Sequence, residues 1–195
     1  MIYILSTFII FIAILVIINY LRKLHWNVIH HNLLESVDDI GGKIIRQGML
    51  GRPIYHGQYK KLDITINFST EKINKSRRNL IDISIGTPME QSFTISAFDW
   101  LEEREESALS EFSQIDLETS KKYGIRDASV EDLVKKNSIN KFYQHLNKLD
   151  PFLFLYAGKN GIIYEKEGGN LAISTKHPAM KDEITSLAAL VGVLS

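Results

Sequence analysis

The chain has 195 residues, with 23 Lys plus Arg against 23 Asp plus Glu, so its formal net charge is +0. That balance gives no global basic excess, which argues against nucleic acid as a partner. It contains no Cys, so disulfides and thiolate metal sites are excluded.

The first element is an apolar run, Ile2 to Leu21, whose only strongly polar side chains are Ser6, Thr7 and Asn19. About 20 residues of helix span roughly 30 Å, the hydrocarbon thickness of a bilayer. A secretory signal would want a basic leader, a shorter apolar run and a small-residue cleavage site. Here only Met1 precedes the run, and it leads into Asn19-Tyr20-Leu21-Arg22-Lys23. The reading is an uncleaved membrane anchor, with the bilayer as the partner of Ile2 to Leu21. Arg22 and Lys23 come directly after the run and no Lys or Arg precedes it. The positive-inside rule then places the C-terminal domain in the cytoplasm. Tyr20 and Trp26 have the amphipathic character suited to the headgroup layer, so Tyr20, Arg22, Lys23 and Trp26 are the expected interface anchors. Two sequons, Asn67-Phe68-Ser69 and Asn74-Lys75-Ser76, are compatible with the opposite orientation.

Three segments result: a transmembrane anchor over residues 1–21, a juxtamembrane helix or linker over 22–42, and one α+β domain over 43–195. In the second, Leu24, Val28, Leu33, Val37 and Ile40 recur at helical steps and Gly41-Gly42 stops the helix. The same stretch carries His25, His30 and His31, but adjacent His residues point about 100° apart on a helix and no H-E-x-x-H accompanies them. No metal site is expected.

Strands come next. Arg52 to Tyr59 pairs with Leu62 to Ser69, where Leu62, Ile64, Ile66 and Phe68 alternate with polar residues. A polar loop, Glu71 to Asn79, then holds Lys72, Lys75, Arg77 and Arg78, a candidate contact for anionic lipid or a solvated hairpin tip. Leu80 to Ile85 and Ser92 to Ala97 alternate again, the second with Thr94 and Ser96 facing water. Asp99 to Glu106 is acidic and suits a short helix or a solvated face. Phe112, Ile115 and Leu117 fit one more strand or an ordered crossing segment. Ser129 and Ser138 are N-cap candidates, the second before a helix bearing Ile139, Phe142, Leu146 and Leu149. Phe152 to Ala157 is apolar on both faces and fits a central, doubly covered strand. Asn160-Gly161 turns it into Ile162 to Lys166. Gly168-Gly169 turns again into Leu171 to Thr175, and a helix from about Ala179 to Leu194 packs across the sheet.

The fold expected is a mostly antiparallel sheet of six to eight strands, a count made against typical sheet sizes, with helices on one face. No P-loop, G-x-G-x-x-G, G-x-S-x-G or kinase signature is present. No cofactor and no catalytic residue is assigned. The leading expectation is a membrane-tethered, non-enzymatic domain that binds or scaffolds a protein partner at the membrane face. A carrier or sensor of an apolar ligand or lipid is the alternative. An enzyme whose residues converge only in space, around His56, His177 and Asp82, is the third.

Overall fold

The helix that begins in the apolar run does not end where the charges begin. The computed structural model, which describes residues 2–48, 50–73, 76–104, 106–119 and 121–194, has one helix, α1, over Ile2–Ile40. Its first half is exposed on every described side, including Phe8, Phe11, Ile14 and Ile17. It is long and apolar enough to cross a membrane. From Trp26 onward the same helix is part of the core. Trp26, Ile29, Leu33 and Ser36 are buried, while Leu24 and Val28, which the spacing placed on the inward stripe, are exposed. The true stripe is Trp26, Ile29, Leu33, Ser36, Val37 and Ile40, at steps of three, four or one. Gly41 ends the helix with φ +79, and its N–H donates to the Val37 carbonyl at 2.8 Å.

The remaining chain forms a nine-stranded antiparallel sheet. Its first strands are β1 (Lys43–Arg46), β2 (Pro53–Tyr59), β3 (Leu62–Ile73), β4 (Ser76–Ile85) and β5 (Phe93–Ala97). Then come β6 (Ser113–Ile115), β7 (Tyr123–Arg126), β8 (Phe154–Gly158) and β9 (Gly161–Glu167). The spatial order is β1-β2-β3-β4-β9-β8-β5-β7-β6. Register is fixed by burial, since a one-residue slip would turn every apolar side chain outward. One cross-strand row runs Tyr55, Ile66, Ile83, Tyr164, Leu155, Ile95, Ile125 through seven neighbouring strands. Every member is buried.

Three helices cover that inner face: the second half of α1, α4 (Ile139–Leu149) and α6 (His177–Leu194). Phe142, Leu146 and Leu149 of α4, and Met180, Ile184, Leu187 and Val191 of α6, are the buried residues at helical spacing. Between sheet and helices lie side chains with little or no exposure. Polar groups fasten α1 to the C-terminal part of the chain. The Asn32 amide donates to the Ala172 carbonyl at 2.9 Å and Thr175 Oγ1 at 3.0 Å. Asp39 pairs with Lys181 at 2.8 Å. Lys166, on the inner face of β9, is buried and pairs with Glu183 of α6. Burial raises the Glu183 carboxyl above the ordinary range, and Lys166 works against that rise.

The outer face carries a short helix, α2 (Phe98–Arg104), followed by a 3-10 helical turn over Glu106–Glu111. It explains the first of several departures from expectation. Thr94 and Ser96 are buried rather than wet, because α2 folds back over β5, and Ser96 donates to the Leu153 carbonyl at 2.9 Å. So β5, and not Phe152 to Ala157, is the strand buried on both faces. Residues 71–79 are not a loop at the described positions. They extend β3 and β4 into one long hairpin, with Glu71 opposite Arg78 and Lys72 opposite Arg77. Lys75 and Asn74 lie outside the described residues. Leu171 to Thr175 forms a short helix, α5 (Leu171–Ser174), because the Asn170 side chain accepts from the Ala172 N–H. Ser129 does cap α3 (Val130–Leu133), accepting from Asp132, whereas Ser138 makes no capping bond.

The Lys166–Glu183 pair makes a testable case. Removing one partner strands a charge inside the protein, which costs about 3–5 kcal/mol. Lys166→Met alone should therefore lower stability by about that much, and Lys166→Met with Glu183→Leu should recover most of it. Equilibrium unfolding of the four proteins in one detergent measures the cycle.

Candidate functional site

Alternation decides what the outer face can display. Residues between the buried ones form two cross-strand rows. One is His56, Thr65, Ser84, Ile163, Tyr156, Thr94, Arg126. The other is Asn67, Asp82, Glu165, Phe154, Ser96, Gly124. Over the far part of these rows lies a groove of about 530 Å³. Its floor is Thr94, Ser96, Phe154, Tyr156 and Glu165, and its wall is Trp100, Leu101, Arg104, Ala108 and Phe112.

The wall is held by charge and by ring packing. Trp100 is 3% exposed. The Arg104 guanidinium lies 5.0 Å from the Trp100 ring and pairs with Glu71 at 2.5 Å. Arg78 pairs with Glu103 at 2.7 Å, so two ion pairs join α2 to the β3–β4 hairpin. At the opposite end Arg126 lies 5.1 Å from the Phe112 ring and pairs with Glu111 at 2.8 Å and Asp127 at 3.3 Å. Gly124 makes that end possible. A Cβ there would fall 2.8 Å from the Phe112 Cβ and 2.9 Å from the Phe98 ring, so only glycine lets both rings lie on β7. The groove is thus amphipathic, with four aromatic rings and two aromatic-stacked guanidinium groups.

A carboxyl pair borders it. Asp82 and Glu165 are directly opposite in the β4–β9 ladder. Burial, and then the hydrogen bond to Asp82, push Glu165 up to about 7. Burial also raises Asp82, opposed by its hydrogen bonds to Glu165 and Ser69 and by the charge of Arg52. Two carboxyls this close repel when both are ionised, and sharing a proton relieves that, which is the direction in which Glu165 is shifted. Asp82 Oδ1 is buried and has no hydrogen-bond partner among the described residues.

The residues singled out from sequence fall in different places. His56 bonds Thr65 Oγ1 at 3.0 Å on β2, in a different outer row from Asp82. His177 is on the helical side, with Nδ1 3.2 Å from Ser36 Oγ and Nε2 3.3 Å from Asp39. The structure does not bring His56, His177 and Asp82 together. Ser36, His177 and Asp39 have the composition of a nucleophilic triad, but Ser36 is 1% exposed within the α1–α6 packing, and no substrate could meet its hydroxyl there. Among the described residues no three His, Asp or Glu side chains converge as metal ligands would. Tyr20, Arg22 and Lys23 lie at the end of the apolar run, on the open part of α1. Trp26 is different: its ring is 6% exposed, 6.3 Å from Phe68, with the Arg52 guanidinium 5.7 Å away. The indole therefore joins helix to sheet and is not free for the headgroup layer. Lys72 and Arg77 are exposed, and Arg78 is engaged by Glu103. Sequence reasoning missed the groove. Its wall lay in an acidic run whose register on the sheet only the fold supplies, although Trp100 inside that run was a signal of burial.

The raised Glu165 carboxyl fixes a sign. Between the usual carboxylate range and about 7 the folded chain binds more protons at Glu165 than the unfolded chain. Stability from this group is then present at low pH and lost as pH rises through about 7. Glu165→Gln should raise the Tm at pH 8 and change it little or lower it at pH 5, in parallel thermal melts. An equal shift at both pH values would show that the pair holds no extra proton.

No protein-family model matches the chain, and no curated protein matches it. Among solved structures, the crystal structure of the mycobacterial trehalose monomycolate transport factor A is similar in outline. The TM-score is 0.49 at 9% identity, covering 82% of this chain and 91% of that one.

Proposed function

We propose that this chain is a single-pass, membrane-tethered binding domain without enzymatic activity, placed at the cytoplasmic face, whose partner seats in the groove on the outer face of the sheet. The observation that carries the reading is the groove itself: about 530 Å³, walled by Trp100, Leu101 and Phe112 and floored by Phe154 and Tyr156. Such a surface recognises an amphipathic partner through ring contacts and charge-assisted bonds. The Ser96 hydroxyl in its floor is committed to the Leu153 carbonyl. Because α1 continues unbroken from the apolar segment into the core, the groove stays at a set distance from the bilayer.

The cytoplasmic placement rests on Arg22 and Lys23. The sequon at Asn67 does not oppose it strongly, since Asn67 is inside β3, opposite Asp82, and the next residue, Phe68, is buried. The aromatic floor also supports a second reading, the carrier or sensor of a lipid. A lipid chain would lie along the Trp100, Phe112, Phe154 and Tyr156 rings.

One experiment separates the two. A photoreactive phenylalanine analogue is placed at Tyr156, in the groove, and at Gln58, on exposed strand surface away from it, and full-length protein is irradiated in cells. The expected result is a protein adduct of defined mass from Tyr156 that is absent from Gln58. A lipid adduct from Tyr156 selects the carrier reading. Equal labelling at both sites sinks both. Placement is read separately. The chain has no Cys, so Lys60→Cys gives a single thiol. It should react with a membrane-impermeant maleimide only after the cells are opened.

A further inference from the structure

The direction of the sheet relative to α1 puts one hairpin at the bilayer. Trp26, five residues beyond Leu21, packs on Phe68 of β3. At the other end of α1, the Gly41 carbonyl accepts from the Tyr55 hydroxyl at 2.7 Å, and Gly42 abuts His56 and Gly57. Gly57 is the ladder partner of Ile64. As α1 leaves the membrane, β3 runs the opposite way, from Ile64 toward Phe68 and on to Ile73. The five residues beyond Phe68 reach about 17 Å. The five residues of helix from Trp26 back to Leu21 cover about 7.5 Å. A strand that crosses the helix obliquely still brings the hairpin end level with the end of the apolar segment.

The inner face of this hairpin changes character along that path. Its cross-strand pairs are Ile64 with Ile85, Ile66 with Ile83 and Phe68 with Ile81, then Thr70 with Asn79, then Lys72 with Arg77. The series passes from apolar under α1, through polar, to two cations where no helix covers the sheet. Both cations are exposed. Like charges directly opposite in a ladder repel, and neither has a carboxylate partner among the described residues. The nearest acidic position, Glu71, is on the other face with Arg104. Arg78 is on that other face too, engaged by Glu103. The unbalanced charge therefore points to the side on which α1 enters the bilayer.

We propose that the end of the β3–β4 hairpin is a second membrane contact, in which Lys72 and Arg77 hold anionic lipid headgroups of the leaflet that α1 leaves. This rests on the anchor reading of Ile2 to Leu21. An anion between the two side chains turns a repulsive pair into a site. Two points of attachment, the helix and the hairpin, fix the tilt of the domain as well as its height. Arg46 and Arg52 brace the same end from inside: Arg46 donates to Asn27 Oδ1 at 2.7 Å, and Arg52 to the Phe68 carbonyl at 2.8 Å and Thr70 Oγ1 at 2.9 Å.

The test uses the full chain, with Ser76→Cys carrying an environment-sensitive dye. It is reconstituted into phosphatidylcholine vesicles with and without phosphatidylglycerol. Co-flotation of protein with both vesicles reports the anchor, and dye emission reports the hairpin, so the two readings can fail separately. The expected result is a blue-shifted emission, shielded from aqueous quencher, only with phosphatidylglycerol and reversed by high salt. Lys72→Gln and Arg77→Gln should each reduce the docked-to-undocked ratio about fivefold. The same emission in both lipids, or a shift indifferent to Lys72→Gln with Arg77→Gln, overturns the proposal.

Discussion

Everything in this molecule depends on one helix that serves two solvents. The first half of α1 is apolar on every side and suits a surrounding of hydrocarbon. The second half has a single inward stripe and suits a sheet on one side and water on the other. Backbone hydrogen bonds pass through the junction without a break, so bending there would cost helix bonds as well as packing. Trp26, Ile29 and Leu33 are each buried against the domain, and burial of such a side chain is worth about 1.5–3 kcal/mol. The domain therefore holds the second half of α1 in place. A flexible junction would let the domain tumble about the apolar segment, whereas this one gives the sheet a direction.

That direction sorts the two faces of the sheet. The inner face spends its capacity on packing: one buried cross-strand row after another, three helices and the Lys166–Glu183 pair. The outer face is left with the polar and aromatic residues of the alternate positions. α2 and the segment after it, with Ala108 and Phe112, lie across it, α2 being joined to the β3–β4 hairpin by Arg78–Glu103 and Arg104–Glu71. Both ion pairs are partly exposed, where such pairs contribute little stability on their own. Trp100, at 3% exposure, is the stronger attachment. The groove wall is thus held by one ring and trimmed by charges. Glu165 lies in the groove floor, where burial and the neighbouring Asp82 raise its carboxyl to about 7.

Much of this was legible in the sequence. Residues that alternate, such as Ile64, Ile66 and Phe68, declared their strand, and Met180, Ile184, Leu187 and Val191 declared their helix. These signals are local and period-bound. The features that escaped were set by partners distant in sequence. Leu24 and Val28 satisfy helical spacing as well as Trp26 and Ile29 do, and only the position of the sheet decides which pair turns inward. Residues 71–79 look like a loop because charged side chains occupy both faces, yet strand pairing continues because Glu71 and Arg78 find α2. Thr94 and Ser96 read as wet until a helix folds over them. The groove was the least legible part, since its lining comes from five elements and a connecting segment, none of which carries a motif.

The sheet edges follow from the same arrangement. An open strand edge is a template for pairing with a second copy. Here both edges are blunted. At one end β6 has three residues and β7 covers its other side. At the other, β1 has four, is flanked by Lys43 and Arg46, and begins directly after α1 stops at Gly41 and Gly42. Gly42 is the hinge of that arrangement: with φ +105 it takes the backbone from helix to edge strand so closely that a Cβ would meet the His56 carbonyl oxygen at 2.4 Å. The same turn that delivers the chain from α1 into the sheet thus places a short edge strand beside that helix, where α1 itself restricts approach.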